Sequence, residues 1–180
     1  MAKKLKKRIV LTGAQGTGKT TLMNELTKDG TRAISHIRKT AAENGLDISN
    51  ATEDGQKLYF KTLKKELSSK KNYVSDRGLS CVAAYTFDKA IVSEITKKTA
   101  DKQYMDLVKF HTDNPDVLLV YVPVEFAVED DGERSTDKEF QTKIDFLIKN
   151  ILETSGVKYI TVTGSVEERL IQIETALANC

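Results

Sequence analysis

A chain of 180 residues is long enough to bury one core and is expected to form a single domain, residues 1–180. With 39% hydrophobic and 30% charged residues it has an ordinary globular composition, and a formal charge of +2 is too near neutral to mark a nucleic-acid binder. The two cysteines, Cys81 and Cys180, have neither metal-site spacing nor disulfide-scaffold density, so reduced thiols and a cytoplasmic location are expected.

The chain opens with a basic tail over residues 1–7, followed by an apolar run too short for a signal-peptide core. No stretch approaches the length of a membrane span, so no membrane partner is expected. Residues 8–12, Arg-Ile-Val-Leu-Thr, read as a buried strand that stops at Gly13. Leu22 and Leu26 place a helix over residues 18–28. A short strand is expected at 31–35, then a helix through Asn44 and a loop over 45–50. Leu58, Tyr59, Leu63 and Leu67 lie among lysines and predict an amphipathic helix over 53–69. Residues 72–75 form the next strand, ending at Asp76-Arg77-Gly78. Helical pattern covers 79–87 and resumes from about Ile91 to His111, until Asp113-Asn-Pro-Asp116 breaks it. The apolar run 117–122 is a strand ended by Pro123. A polar loop over about 123–137 precedes a helix at 137–154, a strand at 158–162 and a helix at 165–177. Five strands alternating with helices imply the α/β class, with a five-stranded parallel sheet covered on both faces.

Gly13-Ala-Gln-Gly-Thr-Gly18-Lys19-Thr20 fits G-x-x-x-x-G-K-[ST] without a mismatch, between a strand and a helix. Glycines let backbone N–H groups turn around phosphate oxygens, and the helix N-terminus adds free donors and a positive dipole end. The expected ATP-binding set is Gly13, Ala14, Gln15, Gly16, Thr17, Gly18, Lys19, Thr20 and Thr21. Lys19 is assigned to the β- and γ-phosphates and the Thr20 hydroxyl to Mg²⁺.

The loop alone names no reaction. The guanine-reading Asn-Lys-x-Asp of GTPases is missing, and so is the Asp-Glu strand end of motor ATPases. Asp76 follows a core strand, where open α/β sheets bind ligands, and is assigned to the magnesium shell and to the acceptor hydroxyl. Its structural alternative is to cap the following helix. Arg77 is a substrate-binding candidate. Arg134, in the acidic segment Glu129-Asp-Asp-Gly-Glu-Arg134, is a candidate to neutralise charge on the transferring phosphoryl group. The alternative there is an acidic surface loop with one pairing arginine.

Gly-x-x-Gly-x-Gly-Lys-Thr-Thr-Leu, then Ser-Asp-Arg-Gly-Leu ahead of Ala84-Tyr85, then Val-Pro-x-Glu-Phe-x-x-Glu-Asp-Asp-Gly-x-Arg-Ser-Thr-Asp, resembles the small AAA-type P-loop kinases. These are similar to the nicotinamide-riboside kinase domain of the bacterial NAD-salvage protein, and many occur in bacteriophages. The resemblance runs from about Arg8 to Leu170. It implies a three-layer kinase fold with a lid loop, and ATP- and magnesium-dependent phosphorylation of a nucleoside or nucleotide. It matches residues 13–21 to the ATP loop, Asp76 and Arg77 to the catalytic strand and Arg134 to the lid, and sets Gly164-Ser-Val166 near the adenine. Relatives often carry Glu-x-x-Arg after the second strand; here Arg38 is kept as a substrate-binding candidate while Ser35 stands at the glutamate position.

Several residues are set aside. His36 and His111 lack metal spacing. Cys81, Tyr59, Phe60 and Tyr85 are assigned to packing. Lys64-Lys65, Lys70-Lys71 and Lys97-Lys98 read as wet helix faces unless they cluster by the cleft, which would suit a polynucleotide or modified-DNA acceptor. Nicotinamide riboside as acceptor, or a nucleotide-driven regulatory ATPase, are the other readings.

Overall fold

The protein is described by a computed structural model covering residues 7–35, 39, 42, 45, 52–125 and 138–179. Five strands form one parallel sheet: β1 (Arg8–Thr12), β2 (Arg32–Ile34), β3 (Tyr73–Ser75), β4 (Leu118–Tyr121) and β5 (Ile160–Thr161). Six helices connect or flank them among the described residues: α1 (Lys19–Leu26), α2 (Glu53–Leu67), α3 (Leu79–Ile91), α4 (Lys97–Asp113), α5 (Lys138–Ser155) and α6 (Val166–Ala178). The strand order is β2-β3-β1-β4-β5. Ile9 of β1 faces Val74 of β3 on one side and Leu118 of β4 on the other. The chain therefore leaves β1 toward one edge and later returns to the other, which opens a crevice at the carboxyl ends of β1 and β3.

Alternation along the strands divides the core. Ile9, Leu11, Val74 and Val120 pack with Leu22, Met23 and Leu26 of α1 and Ile173 of α6. Val10, Tyr73, Leu119 and Tyr121 point to the opposite face, against Tyr59 and Leu63 of α2, Val82 of α3, Leu107 of α4 and Ile148 of α5. Burial on both faces is why β1 and β4 read as continuous apolar runs.

Helix ends follow local chemistry. The Thr52 hydroxyl caps α2 by accepting from the Gly55 N–H at 3.0 Å, with Glu53 and Asp54 in the first turn and Lys64 and Lys65 in the last. Ser165 and Glu168 form a capping box on α6.

Three boundaries depart from expectation. Helix α3 runs on through Ile91 and α4 begins at Lys97. Ile91 and Val92 are 70% and 60% exposed, so they do not start a new buried stripe as their hydropathy suggested. Strand β5 contracts to two residues, and the helix expected through Asn44 lies largely outside the described residues. Arg8 opens the buried strand β1 and is itself 1% exposed, with Nη1 donating to Asp116 at 2.6 Å and Nη2 to the Asn114 side chain at 3.1 Å. Among the described residues no helix is long and apolar enough to cross a membrane.

Candidate active site

The turn after β1 is built by backbone that side chains would obstruct. A Cβ on Gly13 would lie 2.2 Å from the Val122 carbonyl oxygen. Gly18, left-handed at φ +86°, is the N-cap of α1 and offers no side-chain cap, and the first turn holds no acidic residue. The helix thus sets no acidic side chain of its own against the amides at that positive end, which leaves them as donors for an anion.

Side chains fasten the outside of the turn. Gln141 of α5 donates from Nε2 to the Gln15 carbonyl at 2.9 Å, and Arg169 of α6 from Nη1 to the Thr17 carbonyl at 2.8 Å. Carbonyl and N–H of a trans peptide point oppositely, so these bonds aim the Gly16 and Gly18 N–H groups away from the fastening side chains. Lys19, 8% exposed, donates from Nζ to the Ala14 carbonyl and to Thr17 Oγ1, the latter at 3.1 Å. The Tyr85 hydroxyl meets Gln15 Oε1 at 3.4 Å, and the Cys81 thiol lies 3.5 Å from the Gly13 carbonyl.

Asp76 stands one residue beyond β3, its N–H bonded to the Ile34 carbonyl at 3.3 Å. Its Oδ2 accepts from the Thr20 hydroxyl at 3.2 Å, which brings the loop's last residue to the end of the third strand. The N-cap of α3 is Gly78, so the capping alternative for Asp76 is ruled out. Arg77 is half-buried. Burial works against its charge, but Tyr59, Cys81, Tyr85 and Asp76 around it more than compensate, and the guanidinium is held above its already high range.

A second carboxyl lies beneath the loop. Asp145 of α5 accepts from the Tyr121 hydroxyl at 2.9 Å. Burial pushes its carboxyl above the usual range, while the Tyr121 hydroxyl, the Val124 amide, the Lys19 charge and the Ala14 amide pull it the other way. The Tyr121 phenol is raised in turn, chiefly by burial and then by Asp145.

Of the residues expected from the sequence, the structure brings together 13–21, Asp76 and Arg77. Arg38 and Arg134 lie outside the described residues. Gln141, Asp145 and Arg169 were missed. A signal existed: each is a polar residue on the apolar stripe of its helix, Gln141 and Asp145 beside Ile144 and Ile148, and Arg169 beside Val166 and Ile173. Two of the lysines set aside are engaged within the chain, Lys64 with Asp106 at 3.0 Å and Lys70 with Asn114 at 2.9 Å.

Residues 8–169 match the family model described as AAA domain. The chain belongs to that AAA domain family. Its fold is that of P-loop nucleoside and nucleotide kinases. It is similar to deoxyadenosine kinase from M. mycoides with products dCMP and a flexible dCDP bound, at 14% identity and a TM-score of 0.64, covering 96% of this chain and 98% of that one. NadR in complex with NR gives 16% identity and a TM-score of 0.70, covering 98% of this chain and 52% of that one. The AAA-family chain thus spans about half the length of NadR. Thymidylate kinase from Candida albicans gives 14% identity and a TM-score of 0.62, covering 97% and 92%. No curated protein matches the sequence at a significant level.

Proposed function

We propose that this AAA-family chain is an ATP-dependent phosphotransferase that moves the γ-phosphoryl group to a nucleoside or a (deoxy)nucleoside monophosphate. The observation that carries the reading is the meeting of Thr20 and Asp76, at 3.2 Å, at the mouth of an uncapped helix. A phosphate-binding loop alone suits many reactions; a carboxylate set against it, at the strand end where an acceptor enters, suits phosphoryl transfer.

In this reading the 13–21 segment grips the triphosphate, with backbone N–H groups on its oxygens and Lys19 on the β- and γ-phosphates. The Thr20 hydroxyl and Asp76 carboxylate are two hard oxygen donors, which fits magnesium, an ion that takes few protein ligands and shares phosphate oxygens. When bound, that ion neutralises charge on the β- and γ-oxygens. Asp76 orients the acceptor hydroxyl and takes its proton as the new O–P bond forms and the bond to the β-phosphate bridge breaks. Arg77, next to Asp76 at the end of β3, binds the acceptor. Arg134 and Arg38 are assigned from the sequence to the transferring phosphoryl group and to the acceptor. Deoxyadenosine kinase, thymidylate kinase and NadR supply the acceptor classes to try: nucleosides, nucleoside monophosphates and NR.

The test is a screen of these acceptors with ATP, reading ADP release and the phosphorylated product. One acceptor is expected to turn over, and Lys19→Ala to lower kcat/KM for it by about 10³ while the chain stays folded, the scale of losing a preorganised charge partner. Turnover retained in Lys19→Ala, or ATP hydrolysis with no phosphorylated acceptor across the screen, overturns the assignment.

A further inference from the structure

One buried guanidinium joins three loops at the carboxyl edge of the sheet. Arg169 lies on α6 and is 4% exposed. Its Nη1 donates to the Thr17 carbonyl at 2.8 Å, and its Nη2 pairs with Glu125 Oε2. The Glu125 carboxylate in turn accepts the Gly164 N–H, at 3.2 Å to Oε1 and 3.1 Å to Oε2. The phosphate loop, the segment after β4 and the turn before α6 thus share one ion pair. Burying a charge there costs desolvation that only the pair and its hydrogen bonds offset, so this is an expensive way to obtain mere packing.

The bond to Thr17 carries a direction. Because the Thr17–Gly18 peptide is planar and trans, holding its carbonyl on Arg169 turns the Gly18 N–H to the opposite side. Gly18 is itself exposed and left-handed, at the N-cap of α1. A Cβ on it would come 3.3 Å from Arg169 Nη1, so the arginine closes one side of the peptide while the other stays open. A glycine peptide without such a tether has little to stop it rotating, since φ of either sign is open to it.

Resting on the ATP-binding reading above, we infer that Arg169 is a positioning residue for the phosphate tail of ATP, and that Glu125 holds it there. Arg169 sets the Thr17–Gly18 peptide so that the Gly18 N–H is presented to a phosphate oxygen before ATP arrives. Preorganisation of this kind raises affinity by sparing the cost of ordering the donor on binding. Its effect belongs to the phosphates and not to the nucleoside.

The experiment measures dissociation constants for ATP and for adenosine by calorimetry, with thermal unfolding in parallel, on wild type and three variants. Glu125→Gln keeps an acceptor for both Arg169 and Gly164 and is expected to bind ATP within about threefold of wild type. Arg169→Met alone leaves Glu125 without its cation, so the double variant E125Q/R169M is included, which buries no unmatched charge. The double variant is expected to bind ATP about tenfold more weakly, the scale of one hydrogen bond to a charged ligand, with adenosine affinity unchanged. Arg169→Lys, whose ammonium keeps the charge without the two-pronged reach, should fall between. If E125Q/R169M binds ATP within twofold of wild type, or loses ATP and adenosine affinity alike, the inference falls and the kinase assignment stands. If the wild-type chain binds no ATP, both fall.

Discussion

The Thr20 hydroxyl and the Asp76 carboxylate come from segments far apart in sequence and meet at 3.2 Å. In the proposed reading these two oxygen donors, already held together by the scaffold, would carry the cation that offsets the charge of the β- and γ-phosphates, without waiting for substrate to gather them. Asp76→Asn separates charge from shape: the amide oxygen still accepts from Thr20, and Asp76 is only half-buried, so the melting temperature should stay within a few degrees. The chemical step should suffer, with kcat lower by about 10²–10⁴ and the KM for ATP changed by no more than about threefold. Steady-state kinetics against both substrates check this. A kcat within tenfold of wild type would remove Asp76 from the chemistry and leave it a contact of Thr20.

At the scale of elements, α6 shows how a local signal and a distant one combine. Its start was legible, because Ser165-Val-Glu-Glu168 is a capping box: Glu168 N–H reaches the Ser165 hydroxyl at 3.2 Å, and the Ser165 N–H reaches Glu168 Oε2 at 2.7 Å. Ser165→Ala should lower the free energy of unfolding by about 1 kcal/mol, and Ser165→Gly by only a few tenths, as read by denaturant titration. Equal losses in the two would mean that the cap is not what starts the helix. What the sequence did not disclose is the residue one turn on. Arg169 interrupts an apolar stripe, but nothing near it says that its partner is a carbonyl of the phosphate loop. Gln141 and Asp145 on α5 were hidden for the same reason. The loop itself, and the apolar strands β1 and β4, could be read directly because their chemistry is contiguous in the chain. Where hydropathy misled, as at Ile91, the apolar side chain was left in solvent, and local periodicity holds no record of that.

For the whole molecule, the two ends of the sheet carry different burdens. The carboxyl end is occupied by exposed Gly18, by Lys19 and by the polar side chains of Asp76 and Arg77, while the opposite end is sealed by the Arg8, Asp116 and Asn114 cluster and by His111 at the end of α4. His111 is 9% exposed, packs edge-on against Phe110 and has no partner for Nε2 among the described residues. Burial lowers its pKa from 6.5 to about 4. In the unfolded chain the imidazole takes up its proton near pH 6.5; in the folded chain it resists until about pH 4. Between those values the unfolded state binds more protons, so stability falls as the solution is acidified through that window, by about 1.4 kcal/mol for each pH unit. At about pH 5 the loss due to His111 is about 2 kcal/mol. His111→Gln cannot titrate, so denaturant unfolding of both proteins at about pH 7 and pH 5 isolates this contribution from that of the carboxylates they share. Wild type should lose about 2 kcal/mol more than the variant between the two conditions. Equal losses would show that acid reaches the imidazole in the native state at little cost, and that the seal under the sheet is looser than its burial indicates.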